Sequence, residues 1–325
     1  MSIKTVSRVI NDEAYIRDTT RAKVVRAIEE LGYVANVSAQ RLARGRSYAI
    51  GLIYHDASWY YTTHVLRGVL ESGRKAGYSI ILHPFDAGRP TQYHEILQLV
   101  TQRSVDGFVF IPPADNSVPL LTKLQASKVP FVCLTPINQM CCLPFVTTTD
   151  RQGVYEMTQY LLSLGHRRIG FIKGPLNQKA GYERFAGHQA ALEEFGVELD
   201  PALVMQGDDH FDSGQACAAA LLNLNPPPTA IFANNDEMAC GVLALAHTMG
   251  LDVPAQLSVV GFDDIPVSRQ VWPALTTVRQ PIRKMAELAT ALLIRMLEGE
   301  ELTALKYEIP TELIIRDTTA PVSGM

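Results

Sequence analysis

The chain has 325 residues, of which 47% are hydrophobic and 19% charged, enough apolar surface for about two globular domains and too much for a disordered polymer. No uninterrupted apolar run approaches the ~18 residues of a membrane helix, and the opening MSIKTVSRVIND lacks the apolar core of a secretory signal, so a cytoplasmic protein is expected. The net charge of −4 conceals a division, because residues 1–46 carry +4 and the remainder −8: a basic head on an acidic body points to nucleic acid at one end.

In chain order, Ser2 caps a helix over 3–9 with Val6, Val9 and Ile10 on one face. A second helix starts at Asp18 or Thr19, repeats Val24, Ala27, Ile28 and Leu31 at i, i+3, i+4 and i+7, and stops at Gly32. So few apolar positions cannot close a domain alone. Residues 36–46, NVSAQRLARGR, are polar and basic around one large apolar residue, Leu42. From Tyr48 the pattern becomes strand–helix alternation. Apolar runs fall at 48–54, 78–82, 107–111, 130–134, 168–173, 202–207, 230–234 and 257–262, with amphipathic helices at 65–77, 93–102, 153–164, 182–195 and 238–249. Continuous apolar strands imply parallel sheets covered on both faces. Their number exceeds one open sheet and the order restarts near Thr148, which predicts an α/β protein of two doubly wound parallel-sheet lobes. Ligands of such folds sit at the carboxyl ends of strands. The five cysteines (Cys133, Cys141, Cys142, Cys217, Cys240) form no CxxC pair and suit no metal spacing; reduced thiols, no metal centre and no cofactor are expected.

The segment SIKTVSRVINDEAYIRDTTRAKVVRAIEELGYVANVSAQRLARGRS resembles the DNA-binding head and hinge of the lactose/galactose repressor (LacI/GalR) family of bacterial transcription regulators. The resemblance continues through LGHRRIGFIKG (164–174), FANNDEMACGVLALAHTMGLDVP (232–254) and LSVVGFDDIPVSRQVWPALTTVRQP (257–281). A lone GFDD or TVSRV would mean little; their joint order is specific. The resemblance implies a helix–turn–helix head in 1–35, a hinge helix in 36–47, and a periplasmic-binding-protein-like body. Its first lobe is expected from 48–147 and 276–305, and its second from 148–275 and 306–320.

By the same resemblance SIKTVSRV is the recognition helix, with Ile3, Lys4 and Arg8 on base edges and Ser2, Thr5, Ser7 and Asn11 on phosphates. Asn36, Ala39 and Leu42 of the hinge are further DNA contacts, Leu42 as a minor-groove wedge. The family pattern has another helix and turn before this point, and usually Val where Met1 stands. GTG both encodes Val and starts bacterial translation, so an incomplete head whose native chain begins upstream is expected.

For the effector the resemblance assigns Arg184, Asn235 and Asp263, whose donors and acceptors suit a polyol. Tyr61, with Tyr60 or Trp59, would stack on a ring; His55 and Asp56 follow the first strand, and Gln280 lies on a crossover. Asp236 and Asp264 are expected to be structural. Purine-binding members carry an arginine where this chain has Gln178, which disfavours a purine. Many sugar-binding members place an aromatic at Asp209, which here would take a hydroxyl or an amino group. The expected protein is a repressor that binds palindromic operator DNA as a homodimer under control of a small carbohydrate, with 65–77 and 276–298 contributing to the dimer. Two alternatives stay open: a ligand-binding dimer deprived of DNA binding, and a sugar-binding protein of non-regulatory role. An enzyme is not expected, because there is no GxSxG, no P-loop and no metal-spaced His/Glu set, and nothing pairs Asp263 with Asp209 as acid and base.

Overall fold

The computed structural model describes residues 2–10, 16–31, 46–55, 59–86, 89, 91–114, 117–137 and 143–322. The chain divides into two compact units, residues 1–48 and 49–325. In the first, α1 (Ile3–Ile10) packs on α2 (Asp18–Leu31). Ser2 Oγ accepts the Thr5 N–H at 3.2 Å and satisfies one of the orphan donors at the start of α1. Val9 and Val24 are buried, whereas Val6 and Ile28 are half-buried and Leu31 is 80% exposed.

The second unit opens with β1 (Ala49–Tyr54), α3 (Trp59–Lys75), β2 (Ser79–Pro84), α4 (Gln92–Thr101), β3 (Gly107–Phe110), α5 (Val118–Ala126), β4 (Phe131–Leu134) and β5 (Phe145–Thr148). It crosses into α6 (Asp150–Ser163), β6 (Ile169–Lys173), α7 (Lys179–Glu194), β7 (Val204–Gln206), α8 (Phe211–Leu222), β8 (Ala230–Ala233), α9 (Asp236–Thr248), β9 (Ser258–Asp263) and β10 (Thr276–Arg279). It then returns through α10 (Ile282–Leu297) and β11 (Lys306–Ile309) before ending on β12 (Glu312–Ile314). The first sheet has the order β11-β5-β4-β3-β1-β2 and is parallel throughout; the second, β12-β10-β9-β8-β6-β7, is parallel except for β12. The two lobes therefore repeat one winding.

Apolar strands explain the layers. In β8, Ile231 and Ala233 join α8 and α9 in one core, while Ala230 and Phe232 join α6 and α7 in another, as the two-residue strand period requires. In the first lobe Phe108, Phe110 and Phe131 pack with Ile96 of α4 and Leu120 and Leu124 of α5. On the other face α10 lies so close that a Cβ on Gly107 would stand 2.9 Å from Leu293.

Three crossovers join the lobes, at Thr149, at Gln280–Pro281 and at Pro310–Thr311, and they are tied together. Thr311 N–H donates to Thr149 Oγ1 at 2.9 Å, Thr149 N–H to the Ile309 carbonyl at 3.2 Å, and Gln280 Nε2 to Thr148 Oγ1 at 3.1 Å.

Two expected boundaries are corrected. Residues 276–279, expected in the first lobe, form β10 and pair with β9 of the second. Residues 306–309, expected in the second lobe, form β11 and pair with β5 of the first. The crossovers thus fall after Arg279 and after Ile309, where the hydrogen-bond ladders end. The segment 202–207 is only partly strand, because Pro201–Leu203 is a 3-10 turn whose cap, Asp200, accepts the Ala202 N–H at 2.9 Å. Helix α3 begins at Trp59 rather than 65, and α5, β5, α8, β10, α10, β11 and β12 have no counterpart among the runs and helices expected from the sequence.

Candidate ligand site between the lobes

The carboxyl ends of β1, β3 and β4 face those of β7, β8 and β9 across a pocket of about 80 Å³. His55, Tyr61 and Thr135 reach it from the first lobe, Arg184, Asp209, Asn235 and Asp263 from the second, and Gln280 from a crossover. Thr135, Asp209 and Asp263 hold φ of +48°, +72° and +111°. Such conformations cost roughly 1–3 kcal/mol each and collect where side chains must be aimed at a site.

Arg184, buried on α7, organises the second-lobe wall. Its Nε donates to Asp150 Oδ2 at 3.0 Å, Nη1 to the Asn234 carbonyl at 2.6 Å and Nη2 to Asp263 Oδ1 at 3.4 Å, while the guanidinium lies 3.7 Å from the Phe262 ring centroid. Asp150 is in turn held by the Thr148 hydroxyl. Burial opposes the charge on Arg184, but Asp150, Asp263 and Asp209 outweigh it and raise its pKa. Burial pushes the Asp263 carboxyl up to about 7, against the pull of Arg184 and with help from Asp209 and Asp150.

Asn235 caps α9, its Oδ1 accepting the Met238 N–H at 2.9 Å, and its Nδ2 donates to the Asp209 carbonyl at 2.8 Å. Asn234 Nδ2 donates to Asp209 Oδ1 at 2.8 Å. A Cβ on Gly174 would stand 2.2 Å from Asn234 Nδ2 and 2.8 Å from Asp209 Oδ1, so this bond needs glycine there. Gly174→Ala is expected to displace Asp209 and cost about 1–3 kcal/mol, read as a lower urea midpoint; an unchanged midpoint would show that the contact is dispensable.

His55 Nδ1 lies 2.9 Å from the Phe85 carbonyl, which can only accept, so Nδ1 carries a proton and donates. Asp236 is fully buried, accepting from Thr277 and from the Ile265 N–H at 2.8 Å; burial and the neighbouring Asp263 raise its pKa. Asp264 accepts from Arg316, Arg279 and Ser268; burial alone would raise its pKa, but these bonds lower it. Both carboxylates serve the fold.

Seven of the expected effector residues, His55, Tyr61, Arg184, Asp209, Asn235, Asp263 and Gln280, line the pocket. Trp59 is instead 79% exposed, and the Tyr60 ring packs 4.2 Å from His64 beside a different cavity; Asp56 lies outside the described residues. Thr62, Ile111, Pro112, Thr135, Gln178 and Ala180 also line it, and Asp150 buttresses it. The signal that could have found Ile111, Pro112 and Thr135 is their place directly after a strand. Of the expected DNA contacts, Ser2 precedes α1 and Ile3, Lys4, Thr5, Ser7 and Arg8 lie on it. Asn11, Asn36, Ala39 and Leu42 lie outside the described residues.

The family model described as bacterial regulatory proteins, lacI family, matches residues 1–36, and that of a periplasmic binding protein-like domain matches 158–319. The chain is 33% identical over 327 residues to the HTH-type transcriptional regulator DegA of Bacillus subtilis (strain 168), covering 99% of this chain and 96% of that protein. The chain belongs to the lacI family of bacterial regulatory proteins. It is a DNA-binding transcription regulator. Among solved structures, the complex of the transcriptional regulator CelR with cellobiose is similar with a TM-score of 0.77 and 30% identity, covering 98% of this chain and 96% of that one. The lac repressor dimer bound to operator and the anti-inducer ONPF is similar with a TM-score of 0.85 and 27% identity, with the same coverage.

Among the described residues of this regulator no helix is long and apolar enough to cross a membrane, and no group of three or more His, Cys, Asp or Glu is placed to hold a metal ion. Cys133, Cys217 and Cys240 are buried; Cys141 and Cys142 lie outside the described residues. The raised Asp263 pKa has a thermodynamic consequence. The folded state holds this proton up to about 7 and the unfolded chain only to the ordinary 3.8, so the stabilisation is full below the lower value and lost as pH rises through the upper. Urea midpoints measured from pH 4 to pH 8 are expected to decline less in Asp263→Asn than in the native protein; parallel profiles would remove Asp263 as the source.

Proposed function

We propose that this regulator is a repressor that binds palindromic operator DNA as a homodimer, and that a small carbohydrate held between the lobes sets its DNA affinity. The observation that carries the reading is the position of Gln280. It lines the pocket, sits on a crossover, and donates to Thr148 beside another crossover, so a ligand touching it acts directly on the joints between the lobes. Coupling of this kind needs only a few kcal/mol of differential affinity between two lobe arrangements. Arg184, Asn235, Asp209 and Asp263 supply the polar contacts of the effector, with Tyr61 and His55 closing the other side.

At the DNA end, Ile3, Lys4 and Arg8 of α1 read base edges, Ser2, Thr5, Ser7 and Asn11 hold phosphates, and Asn36, Ala39 and Leu42 contact DNA from the hinge. The dimer forms through the first lobe, where Leu70 on α3 and Leu82 on the edge strand β2 are exposed apolar residues. The protein works in the cytoplasm, where its operator is, and catalyses nothing: Asp209 and Asp263 are acceptors tied to Asn234 and Arg184.

A thermal-shift series tests the ligand class. Saturation at 100 times the dissociation constant adds about 2.7 kcal/mol of apparent stability. At least one pentose, hexose or disaccharide is expected to raise the melting temperature of the full chain. A rise with nucleobases and with no sugar would contradict the carbohydrate reading.

A further inference from the structure

Carboxyl groups outnumber cations in the pocket, and this decides more than the presence of a polar site. Arg184 is the one permanent cation among the described lining residues, and Asp150 and Asp263 already flank it. Asp209 is a third carboxylate, and among the described residues the neutral Asn234 amide donates to it. Gln280 is 6% exposed; its Nε2 is engaged with Thr148, and its buried Oε1 has no hydrogen-bond partner among the described residues. The Asn235 amide caps α9 through Oδ1 and gives one Nδ2 hydrogen to the Asp209 carbonyl, keeping a second.

A buried acceptor without a donor carries its full desolvation cost, so a ligand that fits this pocket must donate. Hydroxyls alone would satisfy Gln280 and Asp263. They would leave an acidic excess, the carboxyl groups of Asp150, Asp209 and Asp263 sharing one guanidinium, with burial raising the pKa of Asp209 and of Asp263. A phosphorylated or carboxylated sugar would worsen it. We infer that the effector is an amino sugar, its ammonium group against Asp209 and its hydroxyls donating to Asp263 and Gln280. The inference rests on reading this pocket as the effector site.

The test is isothermal titration of the full chain with glucose, galactose and mannose, with the 2-amino-2-deoxy counterpart of each, and with the N-acetyl derivatives, whose nitrogen is uncharged. An amino sugar is expected to bind about tenfold or more tightly than its neutral parent and its N-acetyl form, since a charge-assisted bond is roughly twice as strong as a neutral one. Asp209→Asn keeps the shape and the bond from Asn234, and is expected to close most of that gap. If the variant does not fold, the amino against N-acetyl comparison on the native chain still decides. Neutral sugars binding as tightly as their amino counterparts would overturn the amino-sugar assignment and leave the effector site standing. Binding by none of the three series would overturn both.

Discussion

Replacing Arg184 by Met is expected to destabilise residues 49–325 by about 3–5 kcal/mol and to abolish the response to ligand. Methionine keeps the unbranched stem but removes three hydrogen bonds, to Asp150, to the Asn234 carbonyl and to Asp263, along with the stacking on Phe262. The side chains of Arg184 and Asp150 are 6% exposed, so water cannot replace what is lost. Two carboxylates would then face each other without a cation, and breaking a buried pair costs more than making it ever gained. The penalty has a signature. Protonation relieves unpaired carboxylates, so the deficit in urea midpoint should be larger at pH 8 than at pH 5, above and below the Asp263 value of about 7. A loss under about 1 kcal/mol, equal at both values, would mean that Arg184 is not the anchor of this wall.

Removal of residues 1–48 is the second large effect. The two units are separately compact, and the sheets and cores of the lobes lie wholly within 49–325. The shortened protein should therefore keep its ligand-induced rise in melting temperature. It should lose specific operator binding, a difference of about a thousandfold or more between specific and nonspecific affinity. Fluorescence anisotropy with labelled operator and scrambled duplexes reads this directly. A shortened protein that still prefers its operator would place DNA recognition in the lobes.

The parts of the fold that could be read in the chain are those whose information is local. Runs such as those around Leu52, Val109, Ile231 and Val260 are apolar throughout because both sheet faces are covered, and they announce themselves. The strands TTVR at 276–279 and KYEI at 306–309 are short and half polar. Which lobe each joins depends on ladder partners that no local pattern names. The site divides the same way. Asn235 and Asp263 stand where strands end, and Arg184 lies on the helix after β6, so position and resemblance together point to them. Asp150 matters only because α6 and α7 bring it to Arg184, a purely tertiary fact. Trp59, Tyr60 and Tyr61 illustrate a finer limit: successive helical residues point about 100° apart, so only one of the three can face the pocket, and the sequence does not say which until the helix is placed.

The central claim is that capture of a small solute between the lobes changes the grip on DNA. The most direct measurement is operator affinity of the full chain by anisotropy, without ligand and with the strongest sugar from the thermal screen at saturation, at one salt concentration. A change of about tenfold or more in Kd, equivalent to about 1.4 kcal/mol of coupling, is the predicted result. Equal affinities with the pocket demonstrably occupied would contradict it.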